Sequence, residues 1–236
     1  MAKERVLLKI SGESLSGEGS FGYDKKALEF IGEEIVSISH THELSIVVGG
    51  GNLIRGRKLK EEIFNQDTVV ADYMGMLATI INGVALQEFL EKNFGLVTRV
   101  LSPIRMNEIC EEFIVRKAKD HLEKGRIVLF VGGTGNPDFS TDTAMTLRAH
   151  EVEAKTVLKG TKVDGIFDRD PVGNKDATFI PEISYIDFLN KDLKIVDSTA
   201  VTQARNHGIE IRIFNFFVKG NLKRALVDRD IGSVIH

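Results

Sequence analysis

The chain has 236 residues, of which 42% are hydrophobic and 28% charged, and its formal net charge is −3. This length and composition are ordinary for a globular protein and predict one α/β domain over residues 1–236. The slightly acidic balance excludes a global basic field for nucleic acid or an anionic membrane, so any phosphate ligand must be held by local groups.

Apolar, β-branched runs alternate with amphipathic segments along the chain. In chain order, the predicted strands are 5–10, 44–48, 96–101, 126–131, 155–159, 209–214 and 233–235. Their nearly continuous hydrophobicity is typical of strands that a parallel sheet buries on both faces. The predicted helices are one after the N-cap Asp24, one over 67–92 that is long enough to break into two helices at Gly75 or Gly83, one over 107–124, one through 143–149 and one over 199–207. The alternation predicts an α/β fold, a three-layer αβα sandwich with a mostly parallel central sheet.

The stretch 160–181 departs from this alternation, because it is polar and rich in turn residues. We predict a functional loop there, with a small hairpin.

Two features bear on the cellular compartment. Cys110 is the single cysteine and cannot form an internal disulfide, which is typical of a reducing compartment. The N-terminus lacks the apolar segment of a signal peptide, and we find no apolar run that approaches the length needed to span a bilayer. We therefore expect a cytoplasmic protein with no nucleic acid and no membrane partner.

The carboxyl ends of the predicted strands carry the polar residues of interest. Ligands of such a sheet gather at this edge. Four strand ends suit phosphate or hydroxyl groups, namely 9–13, 49–52, 132–137 and 159–162. Several Gly-rich ends on one edge are hard to explain by turns alone, so we predict the binding site here.

The triple glycine Gly49–Gly51, followed by Asn52, comes directly after a predicted strand. One interpretation is a tight turn into a helix. Three residues without side chains also let backbone N–H groups approach an anion, and the following helix adds its positive end. Arg55, about one turn into that helix, could bind a phosphate bidentately. The chain has no G-x-x-x-x-G-K-[ST] motif, which argues against a Walker-type NTPase.

Lys9 lies at the end of the first predicted strand, where a buried lysine needs a partner. One interpretation is a structural ion pair with Glu13 or an aspartate. The other is a compact positive charge offered to phosphates. Asp142, at a predicted helix start after Ser140 and Thr141, could orient that lysine, and one of these three residues should cap the helix.

Two other patterns give negative expectations. The hexapeptide GEGSFG at 17–22 matches G-x-G-x-x-G, but six residues separate it from the first strand, so we interpret it as a flexible loop rather than a dinucleotide fingerprint. The six histidines show no ligand spacing beyond the isolated pair at 40 and 42, so we expect no transition-metal site.

Taken in order, four elements resemble the amino-acid kinase superfamily. They are the KISGE segment at 9–13, GGGN with Arg55, GNP with Thr141-Asp142 at 135–142, and TKVDG at 161–165. Asp72 in ADYMGMLAT and the stretch TGNPDFSTDTA are similar to the UMP kinases of bacteria within that superfamily. The match runs from Val6 to Val234. The resemblance implies that ATP and UMP give ADP and UDP, with Mg²⁺, in pyrimidine nucleotide synthesis.

The resemblance also assigns expected roles to residues. The implied ATP side is Lys9, Ser11, Gly12, Gly51, Arg55, Thr161, Phe167 and Asp170, with Phe167 against adenine. The implied UMP side is Gly50, Asp72, Thr134, Gly135, Asn136, Pro137, Asp138, Phe139, Ser140 and Thr141. The segment tied to GTP activation is Gly17, Glu18, Gly19, Ser20, Phe21 and Gly22. Members of the family are homohexamers built from dimers, commonly activated by GTP and inhibited by UTP. Asp138 departs from the family, which usually has an aromatic residue there.

The chemistry needs charge neutralisation more than a base, because the UMP phosphate is already anionic. We hypothesise that Lys9 stabilises charge on the transferring phosphoryl group and that Asp142 orients Lys9, with Asp197 a weaker candidate organiser. Two rivals stay open at this point. One is a sibling kinase for acetylglutamate, carbamate or aspartate, and the other is a nucleotide sensor without catalysis.

Overall fold

The computed structural model describes residues 3–54 and 68–236, and only the backbone of Thr68. Arg55, predicted to bind phosphate, lies outside these residues. The strands are β1 (Glu4–Ile10), β2 (His42–Val48), β3 (Thr98–Ser102), β4 (Glu111–Glu112), β5 (Ile127–Phe130), β6 (Thr156–Thr161), β7 (Ile166–Phe167), β8 (Phe179–Ile180), β9 (Glu182–Ile183), β10 (Glu210–Asn215) and β11 (Ser233–Ile235).

One nine-stranded sheet forms the centre, in the order β4-β3-β5-β2-β1-β6-β10-β11-β9. Within it β10 and β11 run antiparallel, and the other neighbouring strands run parallel. The predicted mostly parallel sheet is therefore confirmed.

Helices cover both faces of this sheet. They are α1 (Lys25–Ser39), α2 (Thr68–Phe94), α3 (Val115–Glu123), α4 (Thr141–Glu151), α5 (Tyr185–Asn190), α6 (Ser198–His207) and α7 (Asn221–Val227), with a short 3-10 helix at Gly12–Ser16. Helices α1, α2 and α7 pack with Val6 and Leu8 on one face. Helices α3 to α6 pack with Leu7 on the other. Since successive strand residues point to opposite faces, β1 contributes side chains to the hydrophobic cores on both sides of the sheet. The predicted three-layer sandwich is therefore confirmed.

Helix α1 begins as the sequence predicts. Asp24 is its N-cap, and the carboxylate accepts a hydrogen bond from the Ala27 N–H at 2.8 Å. That bond satisfies one of the backbone donors that a helix start leaves open.

Helix α2 is continuous from Thr68 to Phe94 and does not divide into two helices at Gly75 or Gly83. Gly83 instead lies where a Cβ would overlap the side chain of Val131 and crowd that of Val100. The glycine is therefore a site of close helix-to-sheet packing, which offsets its poor helix propensity.

The predicted helix over 107–124 is wrong in its first half. Residues 111–112 form β4 beside β3, and the Phe113 N–H donates to the Ser102 carbonyl at 2.8 Å. Because β3 offers its edge to this segment, backbone pairing replaces the first two turns, and the helix begins only at Val115.

The C-terminal half contains elements that the sequence pattern did not predict, namely α5, α7 and β9. The small hairpin within 160–181 is confirmed, because Ile166–Phe167 pairs antiparallel with Phe179–Ile180.

Helix α2 also carries an unexpected composition. Val69–Phe94 contains an 18-residue window with a mean hydropathy of 1.6 and is by length and composition apolar enough to cross a bilayer, so the expectation that no segment reaches that length is wrong. Its inward residues, among them Ile80 and Leu86, pack in the core as in any globular helix. Its outward face keeps a row of exposed apolar side chains, Val69, Val70, Tyr73, Leu77, Ile81 and Val84.

Candidate active site

The candidate site lies at the carboxyl ends of β1, β2, β5 and β6. Strand β1 has β2 on one side and β6 on the other. Strands β2 to β5 all lie on the β2 side and the later strands of the sheet on the β6 side, so the strand order reverses at β1. Such switch points are where open parallel sheets bind ligands. The strand-end segments predicted from the sequence therefore meet at one edge.

Backbone atoms of the glycine-rich loops form the floor of the site. A Cβ at Gly12 would lie 2.5 Å from the Gly51 nitrogen and 2.6 Å from the Gly49 oxygen. The Gly49 N–H donates to the Ile10 carbonyl at 2.9 Å, which holds the two loops together. Only a residue without a side chain fits this approach, so Gly12 is required by geometry. The result is a surface that an anion could approach closely.

Two buried amides connect this floor to its surroundings. Asn82 on α2 donates to the Gly49 carbonyl at 2.7 Å and to Asn52 Oδ1 at 2.6 Å. Asn52 donates to the Gly22 carbonyl at 2.9 Å, and the Gly22 N–H donates to the Asn52 carbonyl at 3.0 Å. Tyr23 completes the set through a hydrogen bond to Asn82 Oδ1 at 2.9 Å. The 17–22 loop and the triple glycine are thus fixed to one helix.

Lys9 and Asp142 meet as predicted. Lys9 Nζ lies 3.2 Å from Asp142 Oδ1, as an ion pair rather than an aligned hydrogen bond. The other carboxylate oxygen accepts a hydrogen bond from Lys159, which the sequence prediction included only within the strand-end segment 159–162. Burial alone would raise the pKa of Asp142, but the charges of Lys9 and Lys159 reverse this, and the pKa lies below its ordinary value. The carboxylate is therefore held in its charged form between two lysines.

Helix α4 presents Asp142 from its first turn. Ser140 is the N-cap, and its hydroxyl accepts from the N–H groups of Asp142 and Thr143, both at 3.2 Å. The capping role predicted for one of the three residues 140–142 is confirmed for Ser140. The Thr143 hydroxyl lies 2.6 Å from that of Thr199, which joins α4 to the start of α6.

A cleft of about 530 Å³ opens between the start of α4 and the start of α6. Its lining includes the predicted residues Asp72, Asp138, Phe139 and Ser140, as well as Asp197. Asp72 accepts a hydrogen bond from the Asp138 N–H at 2.8 Å, so helix α2 anchors the predicted acceptor loop. Phe139 is half exposed at this cleft. The structure thus brings Asp72 together with the 138–140 segment.

The remainder of the predicted acceptor loop is folded on itself. The Thr134 hydroxyl lies 3.2 Å from both the N–H and the carbonyl of Asn136. Arg148, buried in α4, donates to the Gly133 carbonyl at 3.1 Å and stacks over the Phe113 ring at 3.9 Å. A buried guanidinium therefore fixes the start of this loop.

Asp138, the departure from the family, has a left-handed backbone with φ of 67°. Aspartate is several-fold enriched in this region among residues other than glycine, because its short polar side chain is tolerated there. An aspartate at this position thus suits the turn geometry, whatever it contributes to a ligand.

The predicted ATP-side residues occupy the other flank. Ser11 caps the 3-10 helix through the Glu13 N–H, and Thr161 Oγ1 donates to the Val163 carbonyl at 2.7 Å. Lys162 reaches Glu13 at 3.1 Å, which places the end of β6 against the segment after β1. Phe167 packs on Phe179 with ring centroids 5.4 Å apart, in the hairpin.

Asp170 lies further along the same loop. Its carboxylate accepts a hydrogen bond from the Val172 N–H at 2.9 Å, so it stabilises its own turn. The structure gives it no contact with the Lys9 group among the described residues.

The 17–22 loop follows the 3-10 helix rather than a strand, as expected for a segment that is not a dinucleotide fingerprint. A second cleft, of about 560 Å³, is lined by Gly17, Glu18 and Gly19 with Phe30 and Phe217.

Lys159 was predicted only as part of the strand-end segment 159–162 and received no role of its own, although its signal was visible. Lys159 is a lysine at the carboxyl end of an apolar strand, the same pattern that identified Lys9. Asn82 had no such signal, since only the fold places it beneath the glycine loop.

Comparison with known proteins agrees with this geometry. The model of the family described as "Amino acid kinase family" matches residues 4–215. The chain belongs to the amino acid kinase family. A relative from Sulfurovum sp. (strain NBC37-1), named "Uridylate kinase", is 50% identical over 220 residues, which cover 93% of each chain.

Two solved structures superpose closely on this chain. The UMP kinase from Bacillus anthracis has a TM-score of 0.94 at 34% identity, covering 100% of this chain and 97% of its own. The UMP kinase from Ureaplasma parvum has a TM-score of 0.92 at 36% identity, covering 100% and 99%. The resemblance drawn from the sequence motifs is thereby confirmed at the level of family and fold.

Proposed function

We propose that the protein transfers a phosphoryl group from ATP to UMP, giving ADP and UDP for pyrimidine nucleotide synthesis. The observation that carries this proposal is the buried Lys9–Asp142–Lys159 group beside a glycine floor. Its three side chains sum to a charge of +1 where two anions must meet. The half-identical uridylate kinase and the two UMP kinase structures support UMP as the acceptor.

The chain's own residues supply positioning and charge. Lys9 stabilises negative charge that develops on the transferring group, and Asp142 sets the orientation of the Lys9 ammonium. The Gly12 and Gly49–Gly51 main chain lets the phosphates approach in line. No general base is needed, because the attacking phosphate oxygen carries its own charge.

Magnesium fits this site as a companion of the nucleotide. The described residues contain no group of three side chains that could hold a metal, which is common for Mg²⁺ bound mainly by phosphates and water. Asp197, which lines the cleft and makes no capping hydrogen bond, is the carboxylate we assign to hold it. When bound, Mg²⁺ neutralises phosphate charge.

The test is an acceptor screen. Purified protein with ATP is given UMP, CMP, carbamate, acetylglutamate or aspartate, each with and without GTP, and ADP release is followed. We expect turnover with UMP to exceed every other acceptor by at least about tenfold. Preference for carbamate or an amino acid would replace UMP with a sibling activity, and binding of ATP without turnover on any acceptor would favour a nucleotide sensor.

Regulation by GTP and UTP belongs to the same proposal. We infer that GTP activates through the 17–22 loop, because Gly22 and Tyr23 share hydrogen bonds with the Asn52–Asn82 pair below the glycine floor. UTP should inhibit, as in the resembling family. The screen measures both by adding each nucleotide to the UMP reaction.

Replacing Asp72 with asparagine should raise the KM for UMP about tenfold or more and leave the KM for ATP within about threefold. The asparagine still accepts the Asp138 N–H bond, but it loses the charged acceptor for a ribose hydroxyl. Initial rates at varied UMP and ATP give both values. Glu88→Gln, an exposed change on the same helix, is the control. Equal changes in both KM values would contradict the role.

The exposed row on α2 supports assembly. We propose that the chain, as one domain over 1–236, forms a cytoplasmic homohexamer and that this row lies between subunits, since exposed apolar patches mark interfaces. Ile81→Glu should lower the mass measured by light scattering. Val172→Glu, at a position 84% exposed, is the matched control and should not change it. An unchanged mass for Ile81→Glu would exclude the row as an interface.

A further inference from the structure

Lys159 and Lys9 are neighbours in register on adjacent parallel strands, so their side chains leave the same face of the sheet. That face is the one covered by α4 and α6. Two ammonium groups side by side repel each other. Asp142 lies between them and contacts both, one through each carboxylate oxygen. The bridging carboxylate therefore offsets the repulsion between the two lysines.

The side chains of both lysines are largely enclosed. Lys9 is 13% exposed at the side chain and Lys159 is 8%, and Lys159 as a whole is buried. Lys159 also donates to the Ile195 carbonyl, which comes from the loop between α5 and α6. Residues on both sides of Ile195 line the cleft. Lys159 therefore connects β6, the first turn of α4 and one wall of the cleft.

The charges agree with a role that acts through Asp142. Burial lowers the pKa of Lys159, Asp142 raises it and Lys9 lowers it, and the net direction is downward. A buried cation of this kind requires its carboxylate partner. In return, it contributes one of the two charges that keep Asp142 ionised.

We propose that Lys159 is a positioning residue for phosphoryl transfer, which holds the Asp142 carboxylate in the orientation that Lys9 requires. This inference rests on the phosphoryl-transfer function proposed above. Lys159 does not touch the substrates. It donates a hydrogen bond to the Asp142 carboxylate and another to the Ile195 carbonyl, within the segment 192–199 that lines the cleft. Its loss should therefore change the rate of phosphoryl transfer more than the binding of either nucleotide.

The test compares Lys159→Met with wild type and with Lys155→Met. Lys155 is an exposed lysine just before the same strand, so its variant should behave as wild type. For Lys159→Met we expect kcat to fall about 30-fold or more, with the KM for ATP and for UMP within about threefold. On an Asp142→Asn background the same change should lower kcat by less than about threefold further, because the two residues act as a unit.

A direct readout separates positioning from a merely structural role. The pKa of Asp142, read by carboxyl ¹³C NMR titration, should rise in Lys159→Met, since one of its two cations is gone while its burial remains. Lys159→Arg keeps the positive charge, and it is the variant to measure if Lys159→Met does not fold. Its Asp142 pKa should stay near the wild-type value.

The outcomes distinguish this inference from the function itself. Wild-type kcat and an unmoved Asp142 pKa in Lys159→Met would overturn the role of Lys159 while leaving UMP turnover intact. Additive losses with Asp142→Asn would also overturn it. If wild type uses another acceptor, the proposed function fails, but the same comparison of variants with that acceptor still decides the role of Lys159.

Discussion

Lys9→Met should lower kcat about 1000-fold, while the chain remains folded. The loss corresponds to roughly 4 kcal/mol of transition-state stabilisation, a size typical for removing one preorganised charge or donor. The fold should survive because Asp142 keeps its hydrogen bond to Lys159. The measurement is ADP release in a coupled assay at saturating ATP and UMP, with thermal unfolding to verify the fold.

Lys25→Met is the control for this change. Lys25 is an exposed lysine in the first turn of α1 that pairs with Glu29 one turn away, and its loss should leave kcat unchanged. Near wild-type turnover of Lys9→Met would show that the ion pair with Asp142 is structural, the alternative left open by the sequence. A raised KM with unchanged kcat would place Lys9 in binding rather than in the transfer step.

Asp142→Ala should abolish measurable turnover and destabilise the fold by about 3–5 kcal/mol, because it leaves the buried Lys159 and the partly buried Lys9 beside it without their carboxylate. Denaturant unfolding gives the free energy, and the coupled assay gives the rate. Asp120→Ala, which breaks an exposed pair with Lys124, is the control and should cost much less. A loss no larger than that of the control would show that the lysines find other partners.

The same variant has a defined pH dependence. The pKa of Asp142 is lower in the folded chain than in the unfolded one, so its contribution to stability is fully present above the unfolded value. It is lost as the pH falls through the folded value. The difference in unfolding free energy between wild type and Asp142→Ala should therefore be constant near neutral pH and shrink under acid conditions.

Strand positions followed from the sequence because fully buried strands have an unmistakable composition. The seven predicted strands occur within about two residues of their observed bounds, and the predicted strand-end loops meet at one edge. The start of α1 could also be predicted from the sequence, because it depends on a local hydrogen bond. Asp24 was recognisable as a cap, and the cap of α4 could be placed among residues 140–142, because a capping role depends on the next three residues alone.

The errors came from contacts between distant segments. The continuity of α2 depends on the space that Val131 and Val100 leave for Gly83, and β4 exists because β3 offers it an edge. Likewise, the lysine pair could be recognised only once β1 and β6 were known to be neighbours in register. Sequence reasoning identified Lys9 and Asp142 separately, whereas their geometry with Lys159 required the sheet order.

The Asn52–Asn82 pair has a consequence for local unfolding. Both amides are buried, at 1% and 0% exposure, and they hold Gly22 and Gly49 at once. Opening the 17–22 loop would leave Asn52 with an unsatisfied donor, and lifting the glycine floor would do the same to Asn82. The two loops therefore share one opening free energy, so that their protected amide hydrogens exchange with solvent as a single cooperative unit together with the central turns of α2.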